Sequence, residues 1–140
     1  MMTMEHEAAL RAPFARQSFM ATLAATLSRV EPGLVAVRYM RGENLLQQHG
    51  FLHAGVATSA ADSACGYAAL TLAPEGADVL TIEFKANFLR PASGRNFEAI
   101  GRVLRPGRTI MVCEGQVFDL DMPDRLIATL SATMIVQHPG

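Results

Sequence analysis

Tryptophan is absent from this 140-residue chain, tyrosine and cysteine each occur twice, and only 18% of the residues are charged. Cys65 and Cys113 sit in apolar patterns without metal-ligand spacing, which reads as two buried, reduced thiols. No His/Cys/Asp/Glu cluster has ligand spacing, so neither a metal nor another cofactor is expected. A formal net charge of −1 argues against a general nucleic-acid binder. The longest weakly polar run, residues 55–73, contains Asp62, several hydroxyl residues and few bulky hydrophobes, so no membrane span is expected. Near the N-terminus Glu5, Glu7 and Arg11 break up any apolar core of signal type, which points to a cytoplasmic protein.

Half of the residues are apolar, enough for one domain, residues 1–140, with a real core. The scarcity of charge is most acute between Glu43 and Glu75, where Asp62 alone is formally charged. A carboxylate among small apolar residues is costly to bury unless it is paired, and such groups gather at functional sites. Positive charge clusters elsewhere. Lys85, Arg90, Arg95, Arg102, Arg105 and Arg108 are offset in that span only by Glu98, and arginine suits phosphate.

Along the chain, a helix is expected at about 5–23 with Pro13 kinking or interrupting it. Strands follow on either side of Glu31-Pro32-Gly33, then a loop to Phe51 and a small-residue helix over 55–73 ended by Pro74-Glu75-Gly76. From Val79 the period is two. Leu80, Ile82, Phe84 and Phe88 alternate with Thr81, Glu83, Lys85 and Asn87, which predicts a strand burying its apolar face and turning Thr81 to solvent. Pro91-Ala92-Ser93-Gly94, Pro106-Gly107 and Met122-Pro123-Asp124 mark turns, giving a four-strand antiparallel meander over 79–136. The central helix has hardly a polar face and needs cover nearly all round. An α+β fold, a curved antiparallel sheet wrapped about one long helix, meets that demand and gains burial by pairing with a second copy.

Gly55, Thr58, Ser59, Asp62 and Gly66 share one stripe of that helix. Asp62 lies too deep to be an N-cap, which leaves two accounts: a carboxylate satisfied by neighbouring hydroxyls or by a partner subunit, or a general base or nucleophile in a largely dry cleft. His53-Ala54-Gly55 marks the helix start, whose free N–H groups suit developing negative charge.

Gln47-Gln48-His49-Gly50-Phe51-Leu52-His53-Ala54-Gly55 followed by Asp62 resembles the hotdog-fold thioesterases of the phenylacetate-pathway (PaaI-like) branch. That branch has a His-Gly-Gly signature with an acidic residue nine positions after the His. His53 and Asp62 keep the spacing, Ala54 replaces the first Gly, and Asn87-Phe88-Leu89-Arg90-Pro91-Ala92 is similar to the family's strand-to-turn segment. The resemblance implies a hotdog fold and an acyl-CoA thioesterase without cofactor, working as a homodimer or a dimer of dimers. It implies Asp62 as the catalytic carboxylate, the Ala54 amide, helped by Gly55, polarising the thioester carbonyl, and His53 ordering the loop that presents it. Gln47 would orient water or the carbonyl, with Asp62 of one subunit facing Gln47 and Ala54 of the other. Thr81 matches a position where relatives use a hydroxyl. A small or aromatic acyl group would lie near Phe51, Ser63 and Gly66, with the nucleotide phosphates near Arg90, Arg95, Arg105 or Arg108. Rival readings are a non-catalytic acyl-CoA-binding module and, through His49 with Asp62, an acyl dehydratase.

Overall fold

The computed structural model describes residues 2–122 and 125–140. Helices α1 (Met4–Arg16) and α2 (Ser18–Thr22) lead into strands β1 (Thr26–Glu31) and β2 (Leu34–Met40). Helix α3 (Ala54–Leu72) precedes β3 (Asp78–Phe88), β4 (Asn96–Pro106), β5 (Ile110–Asp119) and β6 (Arg125–Gln137). The six strands form one antiparallel sheet in the order β1-β2-β4-β5-β6-β3, and α3 packs on it. This is the α+β arrangement expected.

The β1–β2 hairpin turns on Pro32 and Gly33. Proline presets the first central φ and glycine supplies the second, at +78°. Gly33 also ties the turn to the helix end, donating its N–H to the hydroxyl of buried Thr71 at 2.7 Å.

Small residues let α3 lie low on the sheet. Ala57, Ala60, Ala61, Ala64, Cys65, Ala68 and Ala69 are all buried, and β4 answers with Gly101. A Cβ on Gly101 would fall 2.3 Å from the Ala64 carbonyl carbon, so no side chain fits there. Cys65 and Cys113 are free thiols in this contact layer, as the sequence predicts.

Three expectations need correction. The N-terminal helix of 5–23 is two helices, and the break falls at Gln17 rather than Pro13. Pro13 is carried inside α1, whereas Gln17 adopts extended backbone (φ −73°, ψ 107°) and its side-chain amide reaches Tyr67 on α3.

The meander is the second. β4, β5 and β6 are consecutive neighbours, but β3 pairs with β6 at the far edge. The connection over residues 89–95 is long enough to pass the ends of two strands, a distance of about 14 Å at about 4.8 Å per strand. On the way, Ala92 accepts a hydrogen bond from the Leu52 N–H. Of the expected turn Met122-Pro123-Asp124, Pro123 and Asp124 lie outside the described residues.

The third concerns the faces of β3. Its register with β6 shifts between Thr81 and Glu83, so Ile82 is the extra residue of a bulge. A bulge inverts the in–out phase of the strand. Before it, Val79 and Thr81 pair with the inward Val136 and Met134; after it, Phe84, Ala86 and Phe88 pair with the inward Ala132, Leu130 and Ala128. Thr81 therefore faces the helix. The apolar residues expected to be covered stay open, with Leu80 53%, Ile82 54%, Phe84 45% and Phe88 51% exposed on this edge strand, which pairs on one side only.

Candidate active site

The N-terminus of α3 is built by its own cap. His53 has extended backbone (φ −59°, ψ 140°), and its Nδ1 accepts the Gly55 N–H at 2.8 Å. An accepting Nδ1 places the proton of the neutral ring on Nε2. Glycine at 55 lets the ring come close, since a Cβ there would sit 3.0 Å from Nδ1. The Gly55 amide is thus engaged by His53. Ala54 opens the helix with an N–H that has no hydrogen-bond partner among the described residues, at the positive end of the helix dipole.

The preceding loop is tied to itself. His53 donates its N–H to Leu45, Gln47 donates to Phe51, and Gly50, at φ +86°, donates to Gln47. The Gln47 side-chain oxygen accepts the His49 N–H, which leaves its NH₂ group free to donate. Gln47, Phe51, His53, Ala54, Phe88 and Arg90 line a cavity of about 550 Å³. His49 itself is exposed and makes no contact with Asp62 within the chain.

Asp62 lies in a second cleft of about 670 Å³, together with Ser63, Gly66, Tyr67, Thr81 and Gln17. The Thr81 hydroxyl donates to Asp62 Oδ1 at 2.7 Å. The helix hydroxyls do not serve Asp62: Thr58 donates to the Ala54 carbonyl at 3.0 Å and Ser59 to the Gly55 carbonyl at 2.7 Å. One carboxylate oxygen is therefore held by a neutral hydroxyl, and the other accepts no hydrogen bond among the described residues.

The predicted site residues fall into these two groups, and one chain does not join them. Ala54 and Asp62 are eight residues apart on one straight helix, about 12 Å at 1.5 Å per residue. The arginines are also divided. Arg90 borders the Ala54 cavity, though its guanidinium donates to the Leu126 carbonyl at 2.7 Å. Arg95 precedes β4, whereas Arg105 and Arg108 lie at the β4–β5 turn, about 33 Å away by strand rise.

Cys65 is not a competing nucleophile, because its hydrogen bond with Cys113, then burial, pushes its thiol well up. Asp119, a buried carboxylate at the end of β5, accepts the N–H groups of Gly94 (3.1 Å) and Asp121 (3.0 Å), and so fixes the crossing segment. Glu114 stands opposite Arg102 across the β4–β5 pair.

Gln17 and Tyr67 complete the wall of the Asp62 cleft. The Gln17 Nε2 donates to the Tyr67 hydroxyl at 3.0 Å, and Phe14 packs edge-on against the Tyr67 ring at 5.3 Å. Burial pushes the Tyr67 hydroxyl up from its ordinary value. The sequence carries no signal for Gln17, which reads as an exposed helix residue.

Comparison with known proteins agrees with this architecture. The chain is 45% identical to a thioesterase family protein from Silicibacter pomeroyi, with a TM-score of 0.91, covering 96% of this chain and 99% of that one. The E. coli PaaI protein from the phenylacetic acid degradation operon shares the fold at 18% identity and a TM-score of 0.88, covering 100% of this chain and 98% of that one. An esterase-named protein of Saccharolobus solfataricus is 38% identical over 92 residues, 66% of this chain. The chain spans 65% of the length of that protein and 60% of a second from the same organism. Residues 49–125, which run from the capped loop to the start of β6, match the Thioesterase superfamily; with the hotdog architecture around them, this chain belongs to that superfamily.

Proposed function

We propose that the protein is a cytoplasmic acyl-CoA thioesterase that hydrolyses a small or aromatic acyl-CoA to the free acid and CoA at a site shared by two copies of the chain. The hydrogen bond from Thr81 to Asp62 carries this reading, because it orients a carboxylate into an open cleft where a reacting group can approach. The 12 Å between Asp62 and the free Ala54 amide calls for a second copy to complete the site. The unpaired outer edge of β3, with its exposed Leu80, Ile82 and Phe84, is the surface on which that copy docks. Pairs of such dimers form the tetramer.

In the assembled site the Ala54 N–H of one copy donates to the thioester carbonyl oxygen, and the Gln47 NH₂ group helps hold it. Asp62 of the other copy attacks the carbonyl carbon, or takes a proton from the water that does. Negative charge collects on the carbonyl oxygen and is met by the amide and the helix dipole. Collapse of the intermediate expels the CoA thiolate, which takes up the proton given up by water; where Asp62 itself attacks, water then hydrolyses the acyl–Asp62 anhydride to the free acid and restores the carboxylate. Phe51 and Phe88 supply apolar walls, and Arg90 at the cavity rim receives phosphate of the nucleotide.

Thiol release from short-chain, aromatic and long-chain acyl-CoAs, measured for the wild type and Asp62→Ala, tests the proposal. Turnover of one class that falls at least about a hundredfold in the variant, about 2.7 kcal/mol of transition-state stabilisation, is the expected result. Silence across the panel from a folded protein that still binds CoA would instead make it a binding module. Trapping an acyl–Asp62 anhydride would mark Asp62 as nucleophile.

A further inference from the structure

Gly66 sits in the middle of α3, one turn beyond Asp62, where glycine costs about 1 kcal/mol relative to alanine. Packing does not explain it. A Cβ on Gly66 would meet nothing within 4 Å, in contrast to Gly101, where it would collide with the helix backbone. The missing side chain faces the cleft and leaves room next to the carboxylate. The same cleft is lined by Gln17 and Tyr67, which are joined by a hydrogen bond; Tyr67 follows Asp62 by five residues, about 7.5 Å of helix rise.

That wall is unfinished. The Tyr67 hydroxyl accepts from Gln17 but donates to no group among the described residues, and the Gln17 side-chain oxygen accepts from none. Turning the amide over would reverse the direction of the bond and still leave one donor and one acceptor unused. A partly buried donor–acceptor pair favours a ligand that satisfies both and rejects one that covers them with methylene.

We propose that Gln17, held by Tyr67, determines acyl specificity: the cleft takes a compact acyl group whose far end both donates and accepts a hydrogen bond, as a hydroxyl does. The break between α1 and α2 then has a function, since extended backbone at Gln17 aims its side chain into the cleft. This inference rests on the thioesterase reading.

Its test is the ratio of kcat/KM for 6-hydroxyhexanoyl-CoA to that for hexanoyl-CoA, within single preparations of wild type, Gln17→Leu and Tyr67→Phe. A ratio taken on one preparation is independent of how much of a variant folds. The wild type should favour the hydroxylated substrate by at least about tenfold, and both variants should bring the ratio towards one. Turnover with an unchanged ratio in both variants, or a wild-type preference for hexanoyl-CoA, overturns this inference alone. No thiol release from these or any other acyl-CoA removes the thioesterase reading and this inference with it.

Discussion

The Thr81 hydroxyl joins the outermost strand of the sheet to the polar stripe of the central helix through a 2.7 Å hydrogen bond to Asp62. A hydrogen bond to a charged group is worth about 1.5–3 kcal/mol. Thr81→Ala should therefore lower kcat by roughly 10- to 100-fold, while Thr81→Ser, which keeps the donor, should stay within a few-fold of wild type. Equal losses in the two variants, measured by thiol release, would show that the methyl group rather than the hydroxyl matters.

Ala54 allows an amide donor to be deleted without disturbing the fold. It is the first residue of α3, a position where proline is tolerated, and His53 before it already has the extended backbone that proline requires. Ala54→Pro removes the N–H and puts the ring Cδ in its place. We expect kcat to fall by about 10²–10³, as for loss of one oxyanion donor, with thermal stability unchanged or slightly raised. A variant that melts as the wild type does and turns over as fast would exclude this amide from the chemistry.

Two inactive variants should rescue one another. If Asp62 of one copy works with Ala54 of the other, a mixed dimer of Asp62→Ala and Ala54→Pro carries one doubly damaged site and one intact site. Random reassociation by dilution or mild denaturant then restores about a quarter of wild-type activity in a two-fold dimer. A site contained within one chain would recover nothing.

Ala24 follows α2 in the left-handed region, at φ 52°. Its N–H bonds the Ala21 carbonyl, and the next N–H, of Ala25, bonds the Met20 carbonyl. This is the hydrogen-bond pattern of a helix stop that favours glycine. Ala24→Gly should stabilise the chain by about 0.5–1 kcal/mol, the strain relieved less the extra freedom of the unfolded chain. Denaturant unfolding should show a higher midpoint with unchanged slope.

The parts of the fold set by local pattern were legible in the sequence. Alanine-rich spacing located α3 to within one residue at each end, and period-two runs located β4, β5 and β6. The spacing from His53 to Asp62 picked out both ends of the candidate site. Strand order was not legible: Pro91-Ala92-Ser93-Gly94 reads as a turn between neighbours, whereas residues 89–95 cross to a strand three places away. Nor was the inward orientation of Thr81, since the bulge at Ile82 exists only through pairing with Met134 and Thr133. Gln17 stayed hidden for a similar reason: its partner Tyr67 is fifty residues away.

If a second copy docks on the open apolar edge of β3, that edge has a consequence for how the enzyme behaves in a cell. A catalyst whose two halves lie on different copies falls silent when diluted to single chains. Specific activity plotted against protein concentration is then itself an association isotherm, and its midpoint reports the affinity of one copy for another. Expression level would act twice, once through the number of chains and again through the fraction of them that have met.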